Sequence, residues 1–433
     1  MRHSLPPPSS EGGGNDALWG TRVHGLLGLR LRCTLEVVRL TILYDHRFFR
    51  DSDGTVFSAS NYNYELFSTR YLEVFDEVNI LSRVSPGPAP RERAGDHVEG
   101  PGVRVIDMGN WTGFGSLARS GGEVVKKMAP YLSKRDAVIG IGPGRLQWIA
   151  HQTHLRQRVG SSRPYGVEVI GDPADEFAPG AFSHPLRGMI ARMWPREVGK
   201  MISGAAAVSY VSETVLRKRY PASPDAFVTH YSSVNLPDDA IVETPKEPPI
   251  GRVQIGFIGS LNGLHKGPDT LLEAVAACRA RGVDLGVSII GSGREQEALQ
   301  RLAGALDISD EVKFLGQVPS GAPVWGALDQ CDLFVLPTLA EGLPRAVVEA
   351  MARGLPALAS DVGGIVDLLP AEDRFAPRDP DLLARKIFEV VSSPERMRAM
   401  AERNLTRSRD FRAPLLQARR MEFYRQVRDR TAA

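Results

Sequence analysis

Apolar positions along this chain alternate between two periods. Short β-rich runs of seven to nine residues recur as TILYDHRF, DEVNILSRV, DAVIGIG, YGVEVIGD, AAAVSYVS and AFVTHYSSV. Segments of helical period separate several of them, such as YNYELFSTRYLEVF (62–75) and SETVLRKRY (212–220). Strands that alternate with helices predict a parallel, doubly wound sheet. The stretch LPDDAIVETPKEPP (236–249), rich in proline and acids, interrupts the pattern. It restarts at VQIGFIGS (253–260), continues through GVSIIGSG, VKFLGQV and LFVLPT, and reaches PALAS (356–360). The last amphipathic segment is APLLQARRMEFYRQV (413–427). The expected organisation is therefore two Rossmann-like domains, 38–240 and 250–385, followed by helices over 386–433. Residues 1–37 open on a Pro/Gly/Ser-rich stretch without periodicity, so they are expected to be a disordered or non-native extension.

Composition narrows the class. The chain has 433 residues, 42% hydrophobic and 24% charged, enough for two cores of ordinary size. Its 53 basic and 51 acidic residues leave +2, so charge does not point to nucleic acid. Cys33, Cys278 and Cys331 have no CxxC spacing, which disfavours a zinc site or disulfide framework and fits a reducing cytoplasm. No apolar run approaches the roughly 18 residues of a membrane span.

The chemistry-bearing signals follow strands of the second half, where ligands of such sheets bind. After 253–258 comes GSLNGLHKGPDTLLEAV, in which Gly259 lets backbone approach a phosphate and Lys266 offers a charge. After 286–290 comes GSGREQEALQRL, a second glycine turn starting at Gly291. After 332–336 comes LPTLAEGLPRAVVEAMARG, with Glu341 before a helix start, Pro344 suited to its first position, and Glu349 inside it. Acids at a helix N-terminus stabilise that end by themselves, and a glycine turn is most often only a turn. Their joint order carries more than any one of them.

That order resembles the donor half of retaining GT-B glycosyltransferases, specifically the family of sucrose-phosphate synthases and cell-envelope mannosyl- and glucosyltransferases. The resemblance is close over 253–370, and the E-x7-E element is its most specific part. It implies a GT-B fold whose C-terminal helix crosses back to the first domain. It also implies transfer of a hexose-type sugar from a UDP- or GDP-sugar to a glycan, lipid-linked or small-molecule acceptor, with retention and without a metal. By this resemblance Glu341 contacts the donor sugar, Glu349 the ribose, Gly342 and Leu343 approach through backbone amides, Lys266 holds the diphosphate, and Val318 meets the base. One departure stands out: Ser260 occupies the place of an arginine, in a loop one residue longer. His265, Arg47 and Arg145 are candidate replacements for its charge. In the first half, Gly54 falls where the family closes a glycine loop over the donor. Asp172 falls where relatives carry a His-Asp pair, here Gly171-Asp172. No nucleophilic acid is evident, so front-face attack is the expected route to retention.

Other readings of the same chain are a GT-B sugar-nucleotide epimerase, a phosphorylase with a lysine-bound pyridoxal cofactor, and a silent nucleotide-sugar-binding protein. His151 and His154 read as one polar helix face, since no acidic partner accompanies them. The segment 185–202 interleaves Arg187, Arg192, Arg196 and Lys200 with Met189, Ile190, Met193 and Trp194. Its two readings are helices packed on the sheet, which is favoured, and a surface lying on an anionic membrane face.

Overall fold

The computed structural model describes residues 37–58, 62–87, 97–111, 113–132, 136–155, 164–174, 187–234 and 236–432. The expectation for the N-terminal extension lies outside these residues, apart from Val37. Two parallel sheets organise the rest, packed within one unit, Val37–Ala433. The first contains β1 (Arg39–Arg50), β2 (Val56–Ser58), β3 (Glu77–Pro86), β4 (Val103–Asp107), β5 (Ala137–Ile141), β6 (Gly166–Val169), β7 (Ala207–Tyr210) and β8 (Phe227–His230). Its order is β4-β3-β1-β5-β6-β7-β8, with β2 antiparallel on β1. The second contains β9 (Val253–Ile258), β10 (Leu285–Ile290), β11 (Val312–Gly316), β12 (Leu333–Leu336), β13 (Ala357–Ser360) and β14 (Arg374–Phe375). Its order is β11-β10-β9-β12-β13-β14, all parallel.

Burial explains the sequence pattern. Strands β10, β12 and β13 are buried at every position, as near-continuous apolar runs covered on both faces are. Sequence periodicity overlooked β2, β4 and β14. They are short edge or hairpin strands of three, five and two residues, and β4 alternates buried with exposed positions. Chain order reverses direction between β1 and β5 in the first sheet and between β9 and β12 in the second. Loops leaving those neighbours splay apart and open a crevice at each carboxyl edge.

The two halves are tied at several places. The helix Ala413–Ala432 returns to the first sheet, where Val427 and Phe423 pack so tightly that a Cβ on Gly166 would lie 2.6 Å and 3.1 Å from them. Asp367 of the second half accepts hydrogen bonds from Ser212 Oγ (2.7 Å) and the Thr214 amide (3.2 Å) of the first. The proline-rich connection is strapped to the second half, with the Val242 and Lys246 amides donating to Ala352 O (3.0 Å) and Gly354 O (2.9 Å).

Near the carboxyl end of β1, His46 sits among the rings of Tyr44, Phe48 and Tyr62, with Nε2 3.0 Å from Ser58 Oγ. Burial, and then the charge of Arg83, push its pKa from 6.5 down to about 4. The folded protein therefore takes up this proton less readily than the unfolded chain. Stability is intact above pH 6.5 and declines as pH falls towards 4, by about 3 kcal/mol from this group. Thermal unfolding from pH 7 to 4.5 is expected to show a shallower decline in His46→Gln than in wild type. Equal slopes would exclude His46 as the cause.

Candidate functional site

Two loops meet at the switch point of the second sheet. The loop after β9 ends in a 3-10 turn, Leu264–Lys266, and then Gly267, whose φ of 72° starts the helix Pro268–Arg279. A Cβ on Gly267 would lie 1.9 Å from the carbonyl oxygen of Pro337, in the loop after β12. That close approach lets His265 O accept from the Leu339 amide (2.8 Å) and Thr338 Oγ1 (3.2 Å). With the loops so joined, the Lys266 ammonium donates to Glu341 Oε1. These side chains, 75 residues apart, are 24% and 10% exposed.

A third loop supports the second. After β13, Gly363 has φ 50°, and a Cβ there would lie 1.7 Å from Glu341 O. A Cβ on Gly364 would lie 2.1 Å from Gly342 O, which accepts from the Gly364 amide at 2.8 Å. The sequence reading assigned no role to these glycines, although a Gly-Gly pair just beyond a strand was a visible signal. Gly342 also touches the first half, since a Cβ there would lie 2.6 Å from Ile170 O, just past β6.

Beyond the loop comes the helix Arg345–Ala352. The sequence suggested Pro344 as its first residue; it is instead the N-cap, and no side chain caps the first turn. The opening amides therefore remain available to an anion. Glu349 lies one turn after Arg345, half-buried, and no described side chain hydrogen-bonds its carboxylate. Burial pushes its pKa up, with Arg345 pulling it back.

The glycine turn after β10 has a packing task. A Cβ on Gly291 would lie 1.9 Å from Gly259 O, and one on Gly293 would lie 2.1 Å from Leu261 C. These glycines hold the Gly259–Lys266 loop in place. Ser260 Oγ accepts from the Asn262 amide at 3.3 Å, within its own loop. Leu343 is buried, and Val318 is partly buried against the core just beyond β11. Gly54 lies in the turn joining β1 to β2, with φ 84° and open space around the Cβ position.

Across the crevice, a cavity of about 340 Å³ opens at the ends of β1, β5 and β6. Asp45, Arg83, Arg145 and Asp172 line it. Asp45 pairs with both arginines at 3.1 Å, and Arg47 lies opposite Arg83 in strand register. Asp172 accepts from Tyr220 Oη (2.8 Å) and the Ala174 amide (2.9 Å) and pairs with Arg219, so it braces its own loop. His265 is a weak source of charge, because burial and then Lys266 push its pKa down.

His151 is 6% exposed at the start of a π-helical turn, His151–Leu155, rather than on an outward polar face. Among the described residues no cluster of acids, histidines and cysteines has metal-binding geometry. The basic segment forms one helix, Arg187–Ser203, that buries Trp194, Val198, Met201 and Ile202 and leaves Met189 and Met193 exposed. No helix among the described residues is long and apolar enough to cross a membrane.

Residues 243–407 match the family described as glycosyl transferases group 1. The chain is 24% identical over 363 residues to Protein CapJ of Staphylococcus aureus, covering 82% of this chain and 88% of that protein. It is 29% identical over 227 residues to a GDP-mannose-dependent phosphatidylinositol monomannoside mannosyltransferase of Corynebacterium glutamicum, covering 47% of this chain and 57% of that one. Among solved structures, sucrose-phosphate synthase from Thermosynechococcus elongatus superposes with a TM-score of 0.60 at 17% identity, over 90% of this chain and 99% of that one. Anabaena HepE in complex with UDP superposes at 0.59 and 16%, over 89% and 99%.

Proposed function

We propose that this chain, a GT-B glycosyltransferase whose residues 243–407 form a group 1 glycosyltransferase domain, moves a hexose-type sugar from a UDP- or GDP-sugar with retention. The observation that carries this reading is the meeting of Lys266 and Glu341 beside the uncapped helix Arg345–Ala352. In it, Lys266 and the opening helix amides face the donor diphosphate, Glu341 receives hydroxyls of the donor sugar, and Glu349 receives the ribose. A half-buried carboxylate that accepts no hydrogen bond from the described side chains suits a ligand's hydroxyl groups. Backbone at Gly259, Gly342 and Leu343 borders the same site in this reading, with Val318 towards the base, Gly54 in the loop that closes over the donor and Asp172 near the reacting carbon. UDP in the HepE complex and GDP-mannose in the name of the Corynebacterium relative motivate the two donor bases.

Charge on the leaving diphosphate is neutralised by Lys266 and the amides, so the transfer is proposed to need no metal. The bond from the anomeric carbon to the phosphate oxygen breaks, and the acceptor oxygen bonds that carbon from the same face. The departing phosphate takes the acceptor's proton. Exposed Met189 and Met193 on the basic helix are proposed to seat the enzyme on an anionic membrane face. Co-flotation with anionic vesicles would support this, and none would remove it.

The test is Glu349→Ala. Losing hydrogen bonds to a charged acceptor costs roughly 1.5–3 kcal/mol, so affinity for the free nucleoside diphosphate is expected to fall about ten- to a hundredfold. Calorimetry with UDP and GDP measures it. Unchanged affinity would sink the ribose assignment.

A further inference from the structure

One short segment of the second half touches both the Glu341 loop and the first half. It is the 3-10 stretch Gly363–Asp367, just beyond β13. Its first residues lie under the loop, where the Gly364 amide donates to Gly342 O and Gly363 leaves no room for a Cβ beneath Glu341 O. Its last residue reaches the turn after β7. There the Asp367 carboxylate receives Ser212 Oγ (2.7 Å) and the Thr214 amide (3.2 Å) on Oδ2, and the Thr214 hydroxyl on Oδ1. Ser212 is fully buried, so its bond forms away from water. Between the two ends Ile365 is fully buried, and its carbonyl accepts from the Leu368 (3.0 Å) and Leu369 (2.9 Å) amides. Arg407 donates to Asp367 O (3.0 Å) and lies 3.9 Å from Glu213 of the first half. The segment is a stiff strut of about 8 Å, at roughly 2 Å per residue. The Glu341 loop also meets the first half directly, since a Cβ on Gly342 would lie 2.6 Å from Ile170 O and 3.4 Å from Val211 Cγ1.

We propose that Asp367 is a positioning residue: by docking on Ser212 and Thr214 it lets the first half set the place of Glu341, without itself touching the donor. The inference rests on the role proposed above for Glu341 and adds the residue that fixes where its carboxylate stands. Hydrogen bonds to an ionised carboxylate are roughly twice as strong as neutral ones, and three of them converge here. The strut has little freedom to absorb a shift, because Ile365 is locked in the core and loop backbone lies directly against Gly363 and Gly364. A displacement at Asp367 therefore reaches the Glu341 carbonyl. Lys266, the opening helix amides and Glu349, the groups proposed to hold the nucleotide, all belong to the second half. The contact thus governs alignment of the sugar rather than nucleotide binding. The competing role is structural: Thr214 is the N-cap of the helix Val215–Arg219 and makes no side-chain capping bond of its own, so Asp367 could serve that helix alone.

The test breaks the contact from each half in the full chain. Asp367→Ala removes the acceptor, and Ser212→Ala combined with Thr214→Val removes two of its donors from the opposite half. In both variants, amide hydrogen exchange read by mass spectrometry is expected to quicken roughly tenfold in peptides covering 338–345 and 361–369, with those of β9 and β12 unchanged. Release of UDP from UDP-glucose and of GDP from GDP-mannose, with water as acceptor, should fall in kcat by about tenfold to a hundredfold, as a misplacement near 1 Å implies. Donor KM, and the affinity for free UDP and GDP by calorimetry, should stay nearly unchanged. Asp367→Glu keeps the carboxylate and should recover part of the turnover. Unchanged exchange at the Glu341 loop in the Ser212/Thr214 variant overturns the inference, whether or not water serves as acceptor. So does faster exchange confined to the Val215–Arg219 helix or spread evenly over all peptides, which would make Asp367 a structural cap. A parallel loss of nucleotide affinity overturns it too. Normal turnover in Asp367→Ala beside a slow Glu341→Ala overturns this inference alone, whereas normal turnover in both overturns the Glu341 role as well.

Discussion

Glu341→Ala is expected to lower sugar transfer by about a hundredfold or more without weakening the nucleoside diphosphate. Two terms act in opposite directions. In this structure the carboxylate neutralises Lys266, the cation proposed to face the diphosphate. Removing it leaves the ammonium uncompensated, so affinity for UDP or GDP should hold or rise. Turnover should fall, because the sugar loses hydrogen bonds of roughly 1.5–3 kcal/mol and, with them, its alignment to the acceptor. Glu341→Gln keeps an acceptor oxygen and should sit between the two. Calorimetry paired with a transfer assay decides. If Glu341→Ala and Glu349→Ala lose nucleotide affinity equally, both acids merely stabilise the helix end, and the division of roles fails.

Gly363→Ala should disable the same loop from behind. Its Cβ would fall 1.7 Å from the Glu341 carbonyl oxygen, and that obstacle is backbone that cannot rotate away. The positive φ adds roughly 1–2 kcal/mol for any L side chain. The Glu341 loop must shift, so transfer is expected to drop about a hundredfold together with a loss of about 2 kcal/mol in stability. Gly282→Ala is the control, with φ 80° but no atom within 4 Å of its Cβ. It should show the conformational cost alone and keep full activity. Denaturant unfolding and a transfer assay on both variants separate the effects. Normal turnover in Gly363→Ala would show that the loop's position does not depend on this contact.

The alternation of apolar runs with helical segments determined the two parallel sheets, because strands covered on both faces read as near-continuous apolar runs and helices between them have to be one-sided. The spacing of Lys266, Glu341 and Glu349 after strand ends was likewise readable in one dimension, since each sits just beyond a buried run. Periodicity could not reveal β2, β4 and β14, which are too short or too exposed at a sheet edge to carry a pattern. Nor could it tell which glycines are needed for packing: at Gly291 and Gly293 the missing Cβ atoms make room for Gly259 and Leu261. Only the folded chain places Gly363 and Gly364 under the Glu341 loop, Gly342 against Ile170, and Asp367 against Ser212 and Thr214. The Asp367 contacts join residues 155 and 153 positions apart, and local sequence holds no record of them because they depend on how the two sheets and the returning helix pack.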